Sequence, residues 1–81
     1  MHKRTALIID DEPGVAALVR DVAIECGYET RMLPNGAAVD AIASNSDVIV
    51  LDLLMPGLDG VDVLRRLAAE SSRAQIILMS G

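Results

Sequence analysis

Short apolar runs alternate with amphipathic stretches along this chain. Ala6-Leu7-Ile8-Ile9 is continuously apolar and is ended by Asp10, Asp11 and Glu12, the pattern of a strand buried on both faces of a parallel sheet. Pro13 follows, suited to the first turn of a helix, where its missing N–H has no partner to lose. Val15, Leu18, Val19, Val22 and Cys26 recur at three- and four-residue spacing. The helix is expected to bury that stripe, Cys26 included, and to stop at Gly27. Tyr28 to Leu33 reads as a second, more polar strand near a sheet edge. Pro34-Asn35-Gly36 is turn chemistry, and a short helix from Ala37 to about Ala43 would bury Val39 and Ile42.

The clearest strand runs from Asp47 to Leu54, and only Asp52 interrupts its apolar residues. Met55-Pro56-Gly57 ends it. The next helix starts near Gly60, with Asp59 as a candidate cap and Val61, Leu64, Leu67 and Ala68 on one face. Gln75 to Met79 is a fourth strand, followed by Ser80-Gly81. The order βαβαβαβ, with connections long enough for right-handed crossovers, predicts an α/β doubly wound parallel sheet. An apolar strand such as Ile76 to Met79 needs helix cover and a neighbour at its open edge. Ser80 and Gly81 supply neither. The expectation is therefore the N-terminal portion of a larger domain, or a homodimer completed through the open edge of the fourth strand.

Composition narrows the class. The chain has 81 residues, 52% of them hydrophobic, with Tyr28 its only aromatic residue. One small domain with a core of small branched side chains is expected. Twelve acids against seven bases give a net charge of −5, which excludes a nucleic-acid surface on this segment, since phosphate backbones call for clustered Lys and Arg. A single cysteine excludes an internal disulfide or a cysteine-based zinc site. No apolar run reaches the ~18–20 residues that span a bilayer. Met1 to Thr5 carries the charge of a signal sequence, but only four apolar residues follow before the acids. A soluble, cytoplasmic protein is expected, with His2 solvated and Arg65 and Arg66 on a solvated helix face.

Carboxylates carry the candidate chemistry. Ligands of open α/β sheets bind at the carboxyl ends of the strands, where the strand order reverses. Asp10, Asp11 and Glu12 lie at the end of the first strand and Asp52 near the end of the third. If the first strand lies between the second and third, these acids converge. Two unit charges ~4 Å apart repel by about 4 kcal/mol at an effective dielectric near ~20, so the cluster calls for a cation or for one protonated member. Oxygen ligands without His or Cys point to Mg²⁺. Asp52, isolated in an apolar strand, suits a nucleophile that forms an aspartyl phosphate, and the Ser80 hydroxyl, at the end of the next strand, would donate to that phosphoryl group. Glu12 reads as an acid at the helix start that favours its dipole.

The segments Leu7-Ile8-Ile9-Asp10-Asp11-Glu12-Pro13, Leu51 to Gly60 and Ile77-Leu78-Met79-Ser80-Gly81 together resemble the receiver domain of two-component response regulators. The resemblance covers nearly the whole chain. It implies a flavodoxin-like fold with strand order 2-1-3-4, the fifth strand and last two helices being absent from this chain. It further implies Mg²⁺ binding and phosphorylation of Asp52 by a histidine kinase. Asp10 and Asp11 match the family's acidic pair, Asp11 as the direct metal ligand; the Leu54 backbone carbonyl matches the third protein ligand, and Ser80 the switch hydroxyl. A complete receiver carries a phosphate-contacting lysine at the end of a fifth strand. This chain has no candidate for it, since Lys3 stands at the opposite end of the first strand.

Three functions compete. The first is a phosphoacceptor receiver, a signalling module rather than an enzyme. The second is a truncated or degenerate receiver that serves as an interaction module without phosphorylation; the missing lysine favours it, and the intact acid cluster argues against it. The third is an aspartyl-phosphate phosphohydrolase of the haloacid dehalogenase type, which needs a second acid two residues after the nucleophile, where this chain has Leu54. A nucleotide-binding loop of either glycine-rich pattern is absent.

Overall fold

The protein's structure, a computed structural model, describes residues 3–33, 45–53, 60–69 and 74–79. Within them, β1 (Thr5–Ile9), β2 (Glu29–Leu33), β3 (Val48–Asp52) and β4 (Gln75–Met79) form one parallel sheet, accompanied by helices α1 (Pro13–Glu25) and α2 (Gly60–Ala69). The order β2-β1-β3-β4 puts β1 between β2 and β3, as the convergence of the acids requires. It is a doubly wound, flavodoxin-like arrangement. The expected helix at Ala37–Ala43 lies outside the described residues.

The continuous apolar runs become the two central strands. Leu7, Ile9, Ile49 and Leu51 point to one face, where Val63 and Leu67 of α2 seal them into the main core. Ile8 and Val50 point to the other face and pack against Ala16 of α1. Side chains of a strand alternate between faces, so a run without polar breaks fits only where both faces are covered. The α2 face includes six residues almost wholly removed from water, each large aliphatic side chain contributing about 1.5–3 kcal/mol.

Two helix stripes differ from expectation. On α1, Ala16 is the buried residue, whereas Leu18 and Val22 are exposed and so is Cys26. The periodicity of the stripe is sound, but α1 seats its Ala16 side on the sheet. Leu18 and Val22 then line a cavity of about 430 Å³ with Val19, Tyr28, Val50 and Ile77. On α2, Val63 and Leu67 are buried and Leu64 half-buried, while Val61 and Ala68 face solvent. The core stripe is thus 63–64–67, rotated from the 61–64–67–68 face.

The end of α1 is a Schellman motif. Tyr28 N–H donates to Ala23 O and Gly27 N–H to Ile24 O, both at 3.0 Å, and Gly27 adopts φ +91°, which an L side chain rarely takes. This tight stop sends the chain directly into β2. At the amino end of the sheet, Thr5 N–H donates to Asp47 Oδ2 at 2.8 Å and Thr5 Oγ1 to the Asn45 carbonyl at 2.8 Å. The pair fixes the register of β1 against β3.

Candidate metal and phosphoacceptor site

The site stands at the carboxyl ends of β1 and β3. Asp10 directly follows β1, and its N–H donates to Leu33 O at 3.1 Å, which carries the β1–β2 ladder one step past the strands. Its side chain falls on the Ile8 face of the sheet and is buried, with 5% exposure. Asp52 ends β3 on the same face, two residues after Val50. Asp11 is exposed at the start of the turn into α1, and Asp52 is half-buried. Carboxylate oxygens of Asp10, Asp11 and Asp52 lie within 4.8 Å of one another. The structure therefore brings together the three acids that the sequence singles out.

Asp10 is held in two ways. Glu12 N–H donates to Asp10 Oδ1 at 2.9 Å, a local turn that precedes the helix. This contact caps the chain before α1, while Glu12 itself occupies the N-cap position and makes no side-chain capping bond. Burial pushes the Asp10 carboxyl above its ordinary value; the Glu12 N–H opposes the rise, and the charge of Asp52, a hydrogen bond with Asp52 and the charge of Asp11 add to it. Loss of water and like charge act together, and a bound cation would reverse both.

The donor set is all carboxylate oxygen, the chemistry of hard cations. An octahedral Mg²⁺ has ligands about 2.1 Å away, so three oxygens gathered within 4.8 Å fit a shared ion. Leu54 and Ser80 lie outside the described residues. Met79 is one residue the sequence pattern did not single out. It is the register partner of Asp52 and packs against the Ile8, Ala16 and Val50 cluster; its only sequence signal is its place before Ser80.

The family model described as the response regulator receiver domain matches residues 6–81. The chain belongs to this family. Among curated relatives, sporulation initiation phosphotransferase F of Bacillus subtilis is 32% identical over 99% of this chain and 66% of its own length. The DNA-binding response regulator MtrA of Mycolicibacterium smegmatis is 32% identical over 94% of this chain and 34% of its own. The receiver chain thus spans from about a third to two thirds of these relatives. Among solved structures, the response regulator TrrA of Thermotoga maritima, in complex with Mg²⁺-BeF, is 33% identical. It superposes with a TM-score of 0.83 over 95% of this chain and 69% of its own. A receiver domain from Methylobacillus flagellatus, 21% identical with a TM-score of 0.85, supports the flavodoxin-like fold alone.

Proposed function

We propose that this receiver accepts a phosphoryl group on Asp52 from a histidine kinase, with Mg²⁺ held by Asp10, Asp11 and Asp52. The carrying observation is the convergence of three carboxylates at the β1–β3 crevice, next to an otherwise apolar strand. An Asp52 oxygen attacks phosphorus, one P–O bond forms, and the bond from phosphorus to the donor breaks as the leaving group departs with its electron pair. Bound Mg²⁺ would supply charge neutralisation for the phosphoryl oxygens. Asp10, buried and oriented by the Glu12 N–H, holds its place in the site, and exposed Asp11 reaches it from the turn. The Leu54 carbonyl as a further ligand and the Ser80 hydroxyl as a phosphate contact complete the assignment. The module signals by its phosphorylation state and is not itself a metabolic enzyme; a cytoplasmic location goes with this reading.

Treatment of the protein with a small-molecule phosphodonor and Mg²⁺, followed by intact mass and peptide mapping, tests the assignment. One phosphoryl group on the Asp52 peptide is expected. A group on another peptide would overturn Asp52 as the acceptor, and none in a protein that binds Mg²⁺ would favour an interaction module that works without phosphorylation.

A second reading concerns association. Ile77 and Leu78 of β4 are 52% and 47% exposed and lie on opposite faces of an outer strand. A polypeptide of these 81 residues is expected to self-associate through β4, since an apolar strand edge is a template for pairing. A single monomeric species at high micromolar concentration in sedimentation would contradict this.

A further inference from the structure

The backbone of β4 has a parity that its two ends reveal. Gln75 N–H donates to the Asp47 carbonyl and the Met79 carbonyl accepts Leu53 N–H, both at 3.0 Å. The N–H and C=O of one strand residue point to the same edge, and successive residues alternate. Gln75, Ile77 and Met79 therefore turn their backbone groups towards β3. Ile76 and Leu78 turn theirs to the outer edge, where the sheet has no further strand among the described residues. The two outer strands also differ in charge. β2 carries Glu29 and Arg31, both exposed, and charges of this kind blunt an edge. β4, Gln75-Ile76-Ile77-Leu78-Met79, carries none, and its Ile77 and Leu78 are exposed.

We propose that a second copy of this chain pairs antiparallel with β4 about a two-fold axis at Ile77. The proposal rests on the association reading above and adds its orientation and register. A parallel pair about an axis along the strands would set the outward groups of Ile76 level with those of Ile76 in the second copy, whereas a parallel ladder needs them staggered. An antiparallel pair closes by symmetry. With Ile77 facing itself across the axis, Ile76 stands opposite Leu78 of the second copy, and the two exchange both N–H···O=C bonds. Every outward group of Ile76 and Leu78 is then used. An axis at Ile76 or Leu78 would pair one of them with a residue beyond the strand, and an axis between residues would set outward groups against inward ones. In the proposed register Ile77 meets Ile77 as a non-hydrogen-bonded pair, with Cα atoms only ~4.5 Å apart. Their side chains, which line the cavity beside α1, cover each other, and Ile76 of the second copy covers Leu78 on the opposite face.

The test is disulfide cross-linking of the full chain with Cys26→Ser, which removes its one native thiol. A disulfide needs Cα atoms within about 7 Å. Ile77→Cys meets that limit across the axis and should become a covalent dimer on mild oxidation. Gln75→Cys lies on the same face but ~14 Å along the strand from its own copy, and should link at least ~tenfold more slowly. Ile77→Lys sets like charges directly opposite each other and should raise the dimer dissociation constant in sedimentation at least ~tenfold. Wild type supplies a readout that no folding defect can spoil: in a mixture of isotope-labelled and unlabelled chains, an Hα–Hα contact between Ile77 of one copy and Ile77 of the other is expected. A dimer that lacks this contact, that is unmoved by Ile77→Lys, or in which Gln75→Cys links as readily as Ile77→Cys overturns the register while the association reading stands. A wild-type chain that stays monomeric at high micromolar concentration overturns the association reading, and this inference with it.

Discussion

The two ends of the sheet use the same residue type in opposite ways. At the amino end, the Asp47 carboxylate accepts the Thr5 N–H at 2.8 Å, and Asp47 N–H in turn donates to the Thr5 carbonyl at 2.9 Å. This carboxylate is answered by a backbone donor and ties β1 to β3. At the carboxyl end, Asp10, Asp11 and Asp52 face one another within 4.8 Å, and burial and like charge raise the Asp10 carboxyl above its ordinary value. One end spends an acid on register, and the other accumulates acids at a cost that folding alone does not recover. The contrast separates an aspartate answered by a backbone donor from the three proposed to hold a cation, without any appeal to relatives.

The largest effect should come from Asp10→Asn. Without Asp10 the Mg²⁺ response is expected to vanish; in wild type, Mg²⁺ at 100 times its Kd adds about 2.7 kcal/mol, a rise in melting temperature on the order of 10–20 °C for a domain of this size. Thermal denaturation with and without Mg²⁺ checks it. Asp11→Asn should abolish the same response, with a smaller gain in metal-free stability than Asp10→Asn because Asp11 is exposed. An undiminished Mg²⁺ response in either variant would break the three-carboxylate site.

Asp47→Ala should do the reverse. Removing a partly buried charge-assisted contact costs about 2 kcal/mol, read as a lower urea midpoint, while Mg²⁺ affinity stays unchanged. If Mg²⁺ binding fell with stability, the two ends would not be independent.

The pH dependence sharpens the contrast further. Asp10 has a folded-state value raised above the ordinary 3.8, so the unfolded chain loses that proton first. The stability this group contributes is fully present below the unfolded value and is lost as pH rises through the raised folded value. Metal-free urea titrations across the acid range should show this loss in wild type, and Asp10→Asn should remove it. In the same window protons compete with Mg²⁺, so affinity for the ion should rise with pH. The smallest effect is expected at Gly27→Ala: at φ +91° an L side chain costs about 1–2 kcal/mol, measured by urea unfolding, with the acid site untouched.

Much of this was legible in the sequence, for identifiable reasons. The uninterrupted runs Ala6–Ile9 and Val48–Leu51 announced strands covered on both faces, and Asp52 stood out because it is the one acid within such a run. Gly27 marked the helix stop because only a positive φ closes a Schellman turn. The faces of the helices were less legible. Leu18, Val22 and Cys26 repeat at helical spacing, yet Ala16 makes the buried contact with Ile8 and Val50, because a small side chain lets α1 approach the sheet closely. The place of Met79 depends on how β4 registers with β3, which no local pattern encodes. The split of roles among the acids, with Asp10 buried and Asp11 exposed, likewise arises only when the turn after β1 is built.

The account turns on Asp52 being the phosphoacceptor and Asp47 a structural tie at the other end of the same strand. The most direct measurement is intact-mass analysis after treatment with a small-molecule phosphodonor and Mg²⁺, on wild type, Asp52→Asn and Asp47→Asn. One added phosphoryl group on wild type and on Asp47→Asn, with none on Asp52→Asn, is the result the account predicts. Undiminished labelling of Asp52→Asn would contradict it.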